Sequence, residues 1–507
     1  MQALRHVRAE AVVAGGGPVG LLLAAELAGY GVDTVVLEAG HAVSERPRAG
    51  TLHARAVQSL VRRGYLPRSA ASPEGGGSRA PFHFAGLPGL LINVPDTEPG
   101  PLLKWPQARL ERLFEERAVA AGARVLRGHR ADGLTQDADG VRVTAQGPDG
   151  PLVCEARYLV GADGARGSVR ELAGIRSEVR AATVAALAGT VTLPDPQALA
   201  DGWHHTPRGW IVAKRDPRGR VHLRTLDCSG PHTDRHSDPT LEELRREVSR
   251  IAGREVAMEE PRWLSRFSDF TRLARTFRSG RVLLAGDAAH VHFPIGGQGL
   301  STGVLDALNL GWKLAAAVRG TAGPDLLDTY DAERRPAARR VVENTRAQLA
   351  LMRPGPDLDA LRGVFATLMA ADREDGRLGD MVSGQDTVLP PGPGGASGAA
   401  GRFLRNTALD TDEGGTDVIE LLRDGRPLLL VGGPRGSAHR EAVRGREDLL
   451  RVVEFRPAPE LPYDGLLVRP DGYIAWAAGP GDPEPPAGGP AGVLSAYFAA
   501  GARAGRA

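Results

Sequence analysis

The chain has 507 residues, of which 42% are hydrophobic and 24% charged, an ordinary composition for a folded protein that is too long for one simple core. Its formal net charge of +2 gives no electrostatic reason to expect binding to nucleic acid or to an anionic membrane. No apolar run is long enough to span a bilayer, no export segment precedes the first apolar run, and the two cysteines suggest no disulfide framework, so we expect a cytoplasmic protein.

The first predicted elements are a strand, a glycine-rich turn and a helix. The strand ends at Val13, and Gly15, Gly17 and Gly20 follow with the G-x-G-x-x-G spacing. These glycines allow a tight turn, close approach to a pyrophosphate and close packing of the helix, whose N-terminus favours an anion. A second strand ends at Glu38, about where a ribose-binding carboxylate is expected. The pattern predicts a dinucleotide-binding unit, whereas a glycine-rich surface turn would not need the acid.

The middle of the chain changes its pattern several times. A segment rich in proline and glycine, 81–105, precedes an amphipathic helix predicted from Leu110 to Ala121. From 177 to 265, alternating strands and one helix indicate a second domain inserted into the first. Residues 390–401 read as a Pro/Gly/Ala linker, and the strand-like runs after it predict a small αβ domain.

A second glycine-bearing signature lies far downstream of the first. A buried strand is predicted up to Ala285, and Gly286 and Asp287 end it, so that the acid can reach a sugar hydroxyl. Gly296–Gly299 then supplies exposed N–H groups directly before a helix predicted from 302 to 318. This arrangement indicates a second site for an anion or a carbonyl group.

These residues resemble the FAD-dependent aromatic hydroxylases of the para-hydroxybenzoate hydroxylase type, the group A flavoprotein monooxygenases. The match extends from Gly286 to Leu314, and 158–170 resembles the Asp-Gly motif that this family uses for FAD and NADPH. Gly167 and Ser301 stand where the family usually has serine and asparagine. Clear motifs cover about residues 10–350.

The resemblance implies an α/β fold with four segments. A Rossmann-like FAD-binding domain would occupy 1–176 and continue, with helices, over 266–389. A sheet-based substrate domain would be inserted at 177–265, with 81–105 adding to its pocket. The segment 390–507 resembles, more loosely, the thioredoxin-like appendage of phenol and polyketide hydroxylases, although without a cysteine it would do no disulfide chemistry.

The resemblance also implies which residues hold the cofactor. FAD would contact Gly15, Gly17, Pro18, Val19, Gly20, Glu38, Ala39, Arg48, Gln107, Asp163, Gly164, Gly286, Asp287, Pro294, Gly297, Gln298, Gly299, Leu300 and Ser301. The catalytic positions among them would be Pro294, Gly297, Gly299 and Leu300. Pro294 would wall the face of the flavin where oxygen adds, and backbone N–H groups from Gly297 to Leu300 would stabilise charge on the reduced ring. No side chain is expected to act as nucleophile or base.

The implied activity is an oxygenation that uses NAD(P)H and O₂. NAD(P)H would bind transiently, and a C4a-hydroperoxyflavin would hydroxylate a phenolic or polycyclic, polyketide-like aromatic substrate. The few charged residues in the predicted strands of 177–265 favour a bulky apolar substrate. Baeyer–Villiger oxygenation on the same fold, or a catalytically silent FAD-binding accessory protein, also fits the sequence. We expect no nucleic-acid or membrane partner, and a monomer or homodimer.

Other interpretations of the same residues are weaker. Gly299–Gly303 matches the G-x-S-x-G pattern of hydrolases, but no histidine follows His439 to complete a triad. His290 and His292 have no third ligand at suitable spacing, so no metal is expected. The segment 203–205, Trp-His-His, is predicted to be an exposed loop or a lid over the pocket. Arg46, Arg48 and Arg55 would by default lie on a solvated basic face, and only the family resemblance makes Arg48 a flavin contact.

Overall fold

The computed structural model describes residues 5–70, 77–232, 237–392, 398–480 and 489–498. A six-stranded sheet, here called the parallel sheet, lies at the centre; its strands, in spatial order, are Arg278–Ser279, Val282–Leu284, Tyr158–Gly161, Ala11–Ala14, Thr34–Glu38 and Arg124–Arg127. All neighbours run parallel except the first pair. Its central strands are continuous apolar runs because both faces are covered.

One face of the parallel sheet packs against helices, and the other against a second sheet. The helices Pro18–Gly29, Gln107–Ala120 and Gln298–Val318 share one core with the parallel sheet. The second sheet contributes to the same core and has the strand order Arg5–Arg8, Gly150–Ala156, Val141–Gly147 and Arg130–Gln136.

The chain between 177 and 274 leaves the parallel sheet and builds a separate antiparallel one. This inserted sheet has the strand order Gly202–Thr206, Gly209–Arg215, Val221–Asp227, Ala185–Thr192 and Glu259–Ser268. Helix Leu241–Ala252 covers one of its faces, and Leu223 and Val248 meet in the core between them. The strands Ser177–Arg180, Thr271–Ala274 and His290–Val291 form a small sheet that joins the insertion to the rest of the chain.

Smaller elements surround these sheets. Two strand pairs are Thr51–His53 with Leu102–Lys104, and Arg79–Phe84 with Leu87–Asn93. The remaining helices of this part are Ala54–Arg62, Val169–Leu172, Asp328–Met352, Pro356–Ala371 and Arg377–Ser383, and the short 3₁₀ helices are Gly286–Ala288 and Ile295–Gly297.

The C-terminal part has the predicted thioredoxin-like arrangement. Its sheet has the order Arg451–Glu454, Leu428–Val431, Gly465–Val468 and Ile474–Ala478, with only the first pair parallel. The other elements are the strand pair Ala408–Thr411 and Gly414–Asp417 and the helices Val418–Leu421, Gly436–Ala442 and Gly489–Tyr497.

Several local predictions differ from the structure. The helix predicted from 302 begins at Gln298, so Gly297 is its N-cap. The Pro- and Gly-rich segment 81–105 contributes to a β-hairpin, and 203–205 belongs to an edge strand rather than to a loop. Arg55 is buried against the ring of Phe403, so the prediction of a solvated arginine there is wrong.

The predicted division into domains rests on the sequence alone. Residues 393–397 of the predicted linker lie outside the described residues. The bounds 1–176, 177–265, 266–389 and 390–507 therefore stay predictions. Within the described ranges, no helix has the length and apolar character needed to cross a membrane.

Candidate active site

A cavity of about 830 Å³ lies between the parallel sheet and the inserted sheet. Ala162 and Ala285, which directly follow two parallel strands, lie in its wall. Ligands of open α/β sheets bind beyond the carboxyl ends of the strands in this way. The opposite wall is formed by Ala188, Val212 and Trp263 of the inserted sheet.

The first helix begins at this cavity. Gly17 is its N-cap and has no side-chain capping bond, and Gly17, Pro18 and Val19 line the cavity. A Cβ on Gly15 would lie 2.3 Å from the carbonyl oxygen of Ala162, so only glycine fits beneath the turn. A Cβ on Gly17 would meet no heavy atom within 4 Å, because the space above it is open. The helix N-terminus can therefore receive an anion from the cavity.

A second glycine turn faces the same cavity. Gly296 and Gly297 have φ values of +72° and +62°, and Gly297 is the N-cap of the next helix without a side-chain cap. His53 fixes this turn, because its Nε2 donates a hydrogen bond of 2.7 Å to the carbonyl oxygen of Gly296. Burial lowers the pKa of His53 to about 4, so the ring is neutral at pH 7. The N–H groups at the start of helix Gln298–Val318 are thus held in a fixed position.

Asp287 is exposed to the cavity at the end of its parallel strand. A buried network supports it from behind: Asp306 accepts hydrogen bonds from the backbone N of Gly286 at 3.0 Å and from His290 at 2.7 Å. Arg334 completes the network with a bond of 2.9 Å to the other oxygen of Asp306. Burial by itself would raise the pKa of Asp306, but the charges of His290 and Arg334 outweigh burial and lower it. The network fixes the backbone on which Asp287 stands.

Most of the predicted site residues surround this single cavity. Those that line it are Gly17, Pro18, Val19, Arg48, Gln107, Gly164, Asp287, Pro294, Gly297, Gly299 and Leu300. The predicted residues outside the lining are Gly15, Gly20, Glu38, Ala39, Asp163, Gly286, Gln298 and Ser301.

Four of the residues outside the lining have side chains engaged with the protein. Both carboxylate oxygens of Glu38 accept backbone N–H bonds of 2.6 Å, from Gly16 and Gly40. Gln298 bonds to Asn344 and Val382, and Ser301 accepts the backbone N–H of His53 at 3.0 Å. Asp163 accepts the backbone N–H of Val169 at 3.0 Å. These side chains shape the backbone around the cavity rather than its surface.

The unusual Gly167 has a steric explanation. A Cβ at this position would lie 2.0 Å from Cγ of Asp163, so a serine would not fit the observed packing.

An aromatic wall closes the cavity on the side of the insertion. Phe82 and His83 come from 81–105, which was expected to add to the pocket, and Trp203 from the segment predicted as a loop or a lid, whereas Trp210 was not singled out. Phe82 stacks on His83 with ring centroids 4.7 Å apart, and His83 contacts Trp203 at 4.8 Å. Trp203 in turn packs edge-to-face against Trp210 at 5.8 Å. Alternation along the strand predicts that the side chain of Trp210 lies on one face of the sheet, but nothing in the sequence shows which face meets the cavity.

The site suits a long dinucleotide better than a metal ion. The described residues contain no cluster of His, Cys, Asp and Glu that could hold a metal. By contrast, two uncapped helix N-termini and the exposed carboxylate of Asp287 open on one cavity, which fits a cofactor with a pyrophosphate, sugar hydroxyls and a ring that accumulates negative charge.

Comparison with known proteins agrees with this geometry. Residues 8–345 match the family model for an FAD binding domain, and 397–500 match the C-terminal model of aromatic-ring hydroxylases. A Streptomyces rimosus protein named 12-dehydrotetracycline 5-monooxygenase/anhydrotetracycline 6-monooxygenase is 38% identical over 94% of this chain and 96% of its own. Dialkyldecalin synthase from Streptomyces rugosporus is also 38% identical, over 92% of this chain and 95% of its own.

A solved structure extends the match to the whole fold. The anhydrotetracycline hydroxylase from Streptomyces rimosus is 36% identical and superposes with a TM-score of 0.86, covering 97% of this chain and 99% of its own. The predicted fold class and cofactor are therefore confirmed. The chain belongs to the FAD-dependent aromatic-ring hydroxylases, flavoprotein monooxygenases that use NAD(P)H and O₂.

Proposed function

We propose that this enzyme hydroxylates a polycyclic aromatic compound of the polyketide type in the cavity between its two main sheets. The observation that carries the proposal is that both uncapped helix N-termini, Asp287 and the aromatic wall all border one cavity. A relative named for tetracycline-type substrates supports the substrate class. Aromatic side chains favour planar ring systems through stacked and edge-to-face contacts.

Different residues of the cavity would bind different parts of FAD. The helix N-terminus at Gly17 would hold the pyrophosphate, and Asp287 would accept hydrogen bonds from hydroxyls of the cofactor chain. The N–H groups from Gly297 to Leu300 would stabilise negative charge on the flavin ring, and Pro294 would wall the ring on the substrate side. When bound, FAD supplies the oxygen-transfer chemistry, which the protein's side chains lack.

The inserted sheet positions the substrate and keeps water away. Its aromatic side chains, together with Phe267 and Phe293 at 5.9 Å from each other, enclose the reacting ring in apolar surroundings. Exclusion of water suppresses side reactions of a reactive intermediate. We place the reaction in the cytoplasm, where NAD(P)H is regenerated, in a monomer or homodimer.

The test is turnover of the purified, FAD-loaded protein with a panel of phenols, quinones and aromatic polyketides. We expect NADPH consumption that depends on the substrate and a product heavier by one oxygen atom. A protein that takes up no FAD would overturn the proposal. A flavoprotein whose NADPH consumption never responds to any substrate would support an accessory or synthase role instead, and an ester or lactone product would indicate Baeyer–Villiger oxygenation.

The role of Asp287 is tested by the Asp287→Asn variant. Loss of one charge-assisted hydrogen bond should weaken FAD binding about tenfold or more. The measurement is the dissociation constant of FAD, from flavin fluorescence of the reconstituted protein. Asp357→Asn, an exposed acid in the first turn of helix Pro356–Ala371, is the matched control and should bind FAD as the wild type does. Equal affinities of the two variants would contradict the role given to Asp287.

A further inference from the structure

Arg224 occupies the middle of the inserted sheet, on the face that lines the cavity. Its strand, Val221–Asp227, is the central one of this sheet. In the antiparallel register, Arg224 lies opposite Val212 on one side and Ala188 on the other. All three residues line the cavity. Because the two neighbours are small, the long arginine side chain extends beyond them into the cavity.

The neighbouring residues of the same strand point the other way. Leu223 belongs to the core under helix Leu241–Ala252, and the hydroxyl of Thr225 donates to Glu247 of that helix. Since side chains alternate along a strand, Arg224 must face away from the helix and toward the cavity. This alternation places the guanidinium on the cavity side of the sheet.

The guanidinium of Arg224 has no partner among the described residues, neither a hydrogen bond nor an ion pair. Desolvation by the surrounding cavity walls lowers the pKa of Arg224, and no neighbouring carboxylate acts against this shift. Arg266, on a nearby strand, contrasts with it: this arginine forms a bidentate pair with Glu243, with bonds of 2.6 and 2.9 Å. Both arginines line the cavity, but only Arg266 has a carboxylate partner among the described residues.

Arg224 is exposed to the cavity, so its guanidinium is accessible to a ligand there. Arginine remains charged in proteins and presents a planar fork of donors that matches a pair of anionic oxygens. The adjoining wall is aromatic, with Trp210 on the strand next to that of Arg224 and Trp203 on the edge strand beyond it. Arg224 thus adds a cation to the planar apolar surface of this wall.

We propose that Arg224 binds an anionic oxygen group on the aromatic substrate, either a carboxylate or an ionised phenol or enol hydroxyl, and thereby orients the ring system in the cavity. This inference rests on the proposed function and narrows its substrate class to acidic polycycles. It also amends the expectation, drawn from the few charged strand residues, that the substrate is purely apolar.

The test measures binding of matched probes to the FAD-loaded enzyme by quenching of tryptophan fluorescence. The carboxylate pair is anthraquinone-2-carboxylate with its neutral carboxamide; the hydroxyl pair is 2-hydroxyanthraquinone with its methyl ether, followed against pH. We expect the anionic member of at least one pair to bind about tenfold more tightly, the size of one charge-assisted contact. A preference in the carboxylate pair assigns a carboxylate, and one in the hydroxyl pair that grows with pH assigns an ionised hydroxyl.

The Arg224→Gln variant should lose this preference by weakening the anionic probe about tenfold, with the neutral probe changed less than twofold. Arg262→Gln, an exposed arginine on strand Glu259–Ser268 of the same sheet that does not line the cavity, is the matched control and should keep the preference. Equal binding of both members of each pair to the wild type, or an unchanged preference in Arg224→Gln, would overturn the inference.

Two further readouts separate this inference from the proposed function. A wild type that hydroxylates neutral polycycles without any anion preference leaves the proposed function intact and overturns only the role of Arg224. An effect of Arg224→Gln confined to the KM for NADPH would also overturn that role, because it would assign the arginine to the reductant. Failure of the wild type to bind FAD would instead overturn the proposed function itself.

Discussion

The glutamates of helix Leu241–Ala252, which covers the inserted sheet, show how burial changes the pKa of a carboxyl group. Glu247 lies on the face of the sheet remote from the cavity and accepts a hydrogen bond from Thr225. Burial raises its pKa to about 7, and the hydroxyl of Thr225 offsets only part of this effect. Its carboxyl group is therefore half protonated near neutral pH, unlike Glu243 one turn earlier, which is paired with Arg266.

This shift predicts that the enzyme loses stability as the pH rises toward 8. The folded-state pKa of Glu247 lies above the unfolded-state value of about 4.3, so its contribution to stability is fully present below that value and is lost as the pH passes about 7. The Glu247→Gln variant should remove this dependence and raise the free energy of unfolding at pH 8 by about 4 kcal/mol at most.

The measurement is denaturant unfolding of the variant and the wild type at pH 5, 6, 7 and 8. Glu242→Gln, an exposed glutamate of the same helix, serves as the control and should keep the wild-type pH profile. A Glu247→Gln profile parallel to that of the wild type would show that Glu247 does not cause the loss.

Turns and helix starts near the cofactor site were predictable where residues close in sequence determine their conformation. The turn from Gly15 to Gly20 was predictable from its spacing, because Gly20 must pack against the carbonyl oxygen of Gly15 and Gly17 must leave open space for a ligand. The start of the second helix at Gln298 was missed, because the left-handed Gly297 that caps it depends on the clamp from His53. A contact between residues as far apart in sequence as His53 and Gly296 cannot be read from local patterns.

The first turn offers a prediction at the level of the helix. A Cβ on Gly20 would lie 2.0 Å from the carbonyl oxygen of Gly15, so Gly20→Ala must displace the helix from the turn. We expect a loss of FAD from the purified protein and a lower melting temperature, read from flavin absorbance and thermal unfolding. Gly29→Ala, at the end of the same helix, meets no heavy atom within 4 Å and should retain FAD. Retention of FAD by Gly20→Ala would contradict the steric argument.

At the scale of the whole molecule, a buried ionic network joins the C-terminal part to the FAD-binding part. Arg469 bonds to both oxygens of Glu333 at 2.8 Å and to Asp471 at 2.6 and 3.0 Å. Lys313 adds a bond of 2.8 Å to Glu333. Burial would raise the pKa of Glu333, but Arg469 and Lys313 lower it to about 2. Trp312 and Trp476 share a core beside this network.

Replacing Arg469 should weaken the packing of the C-terminal part against the FAD-binding part. Arg469→Ala leaves Glu333 and Asp471 with an unbalanced buried charge, which costs roughly 3–5 kcal/mol of unfolding free energy. Arg456→Ala, which breaks an exposed pair with Asp410, should cost less than about 1 kcal/mol. Denaturant unfolding of both variants provides the measurement, and equal losses would rule out a special role for the buried network.

The sequence by itself determined the cofactor and the reaction class, because the glycine turns and the acid at a strand end are short-range patterns with specific chemistry. It also predicted the insertion and the C-terminal part from changes of period. Only the tertiary structure decided which residues share the cavity: it brought His53 to Gly296, turned Gln298 and Ser301 away from the cavity surface, and placed the unpaired Arg224 within it. The physical reason is that a strand has two equivalent faces until packing buries one of them.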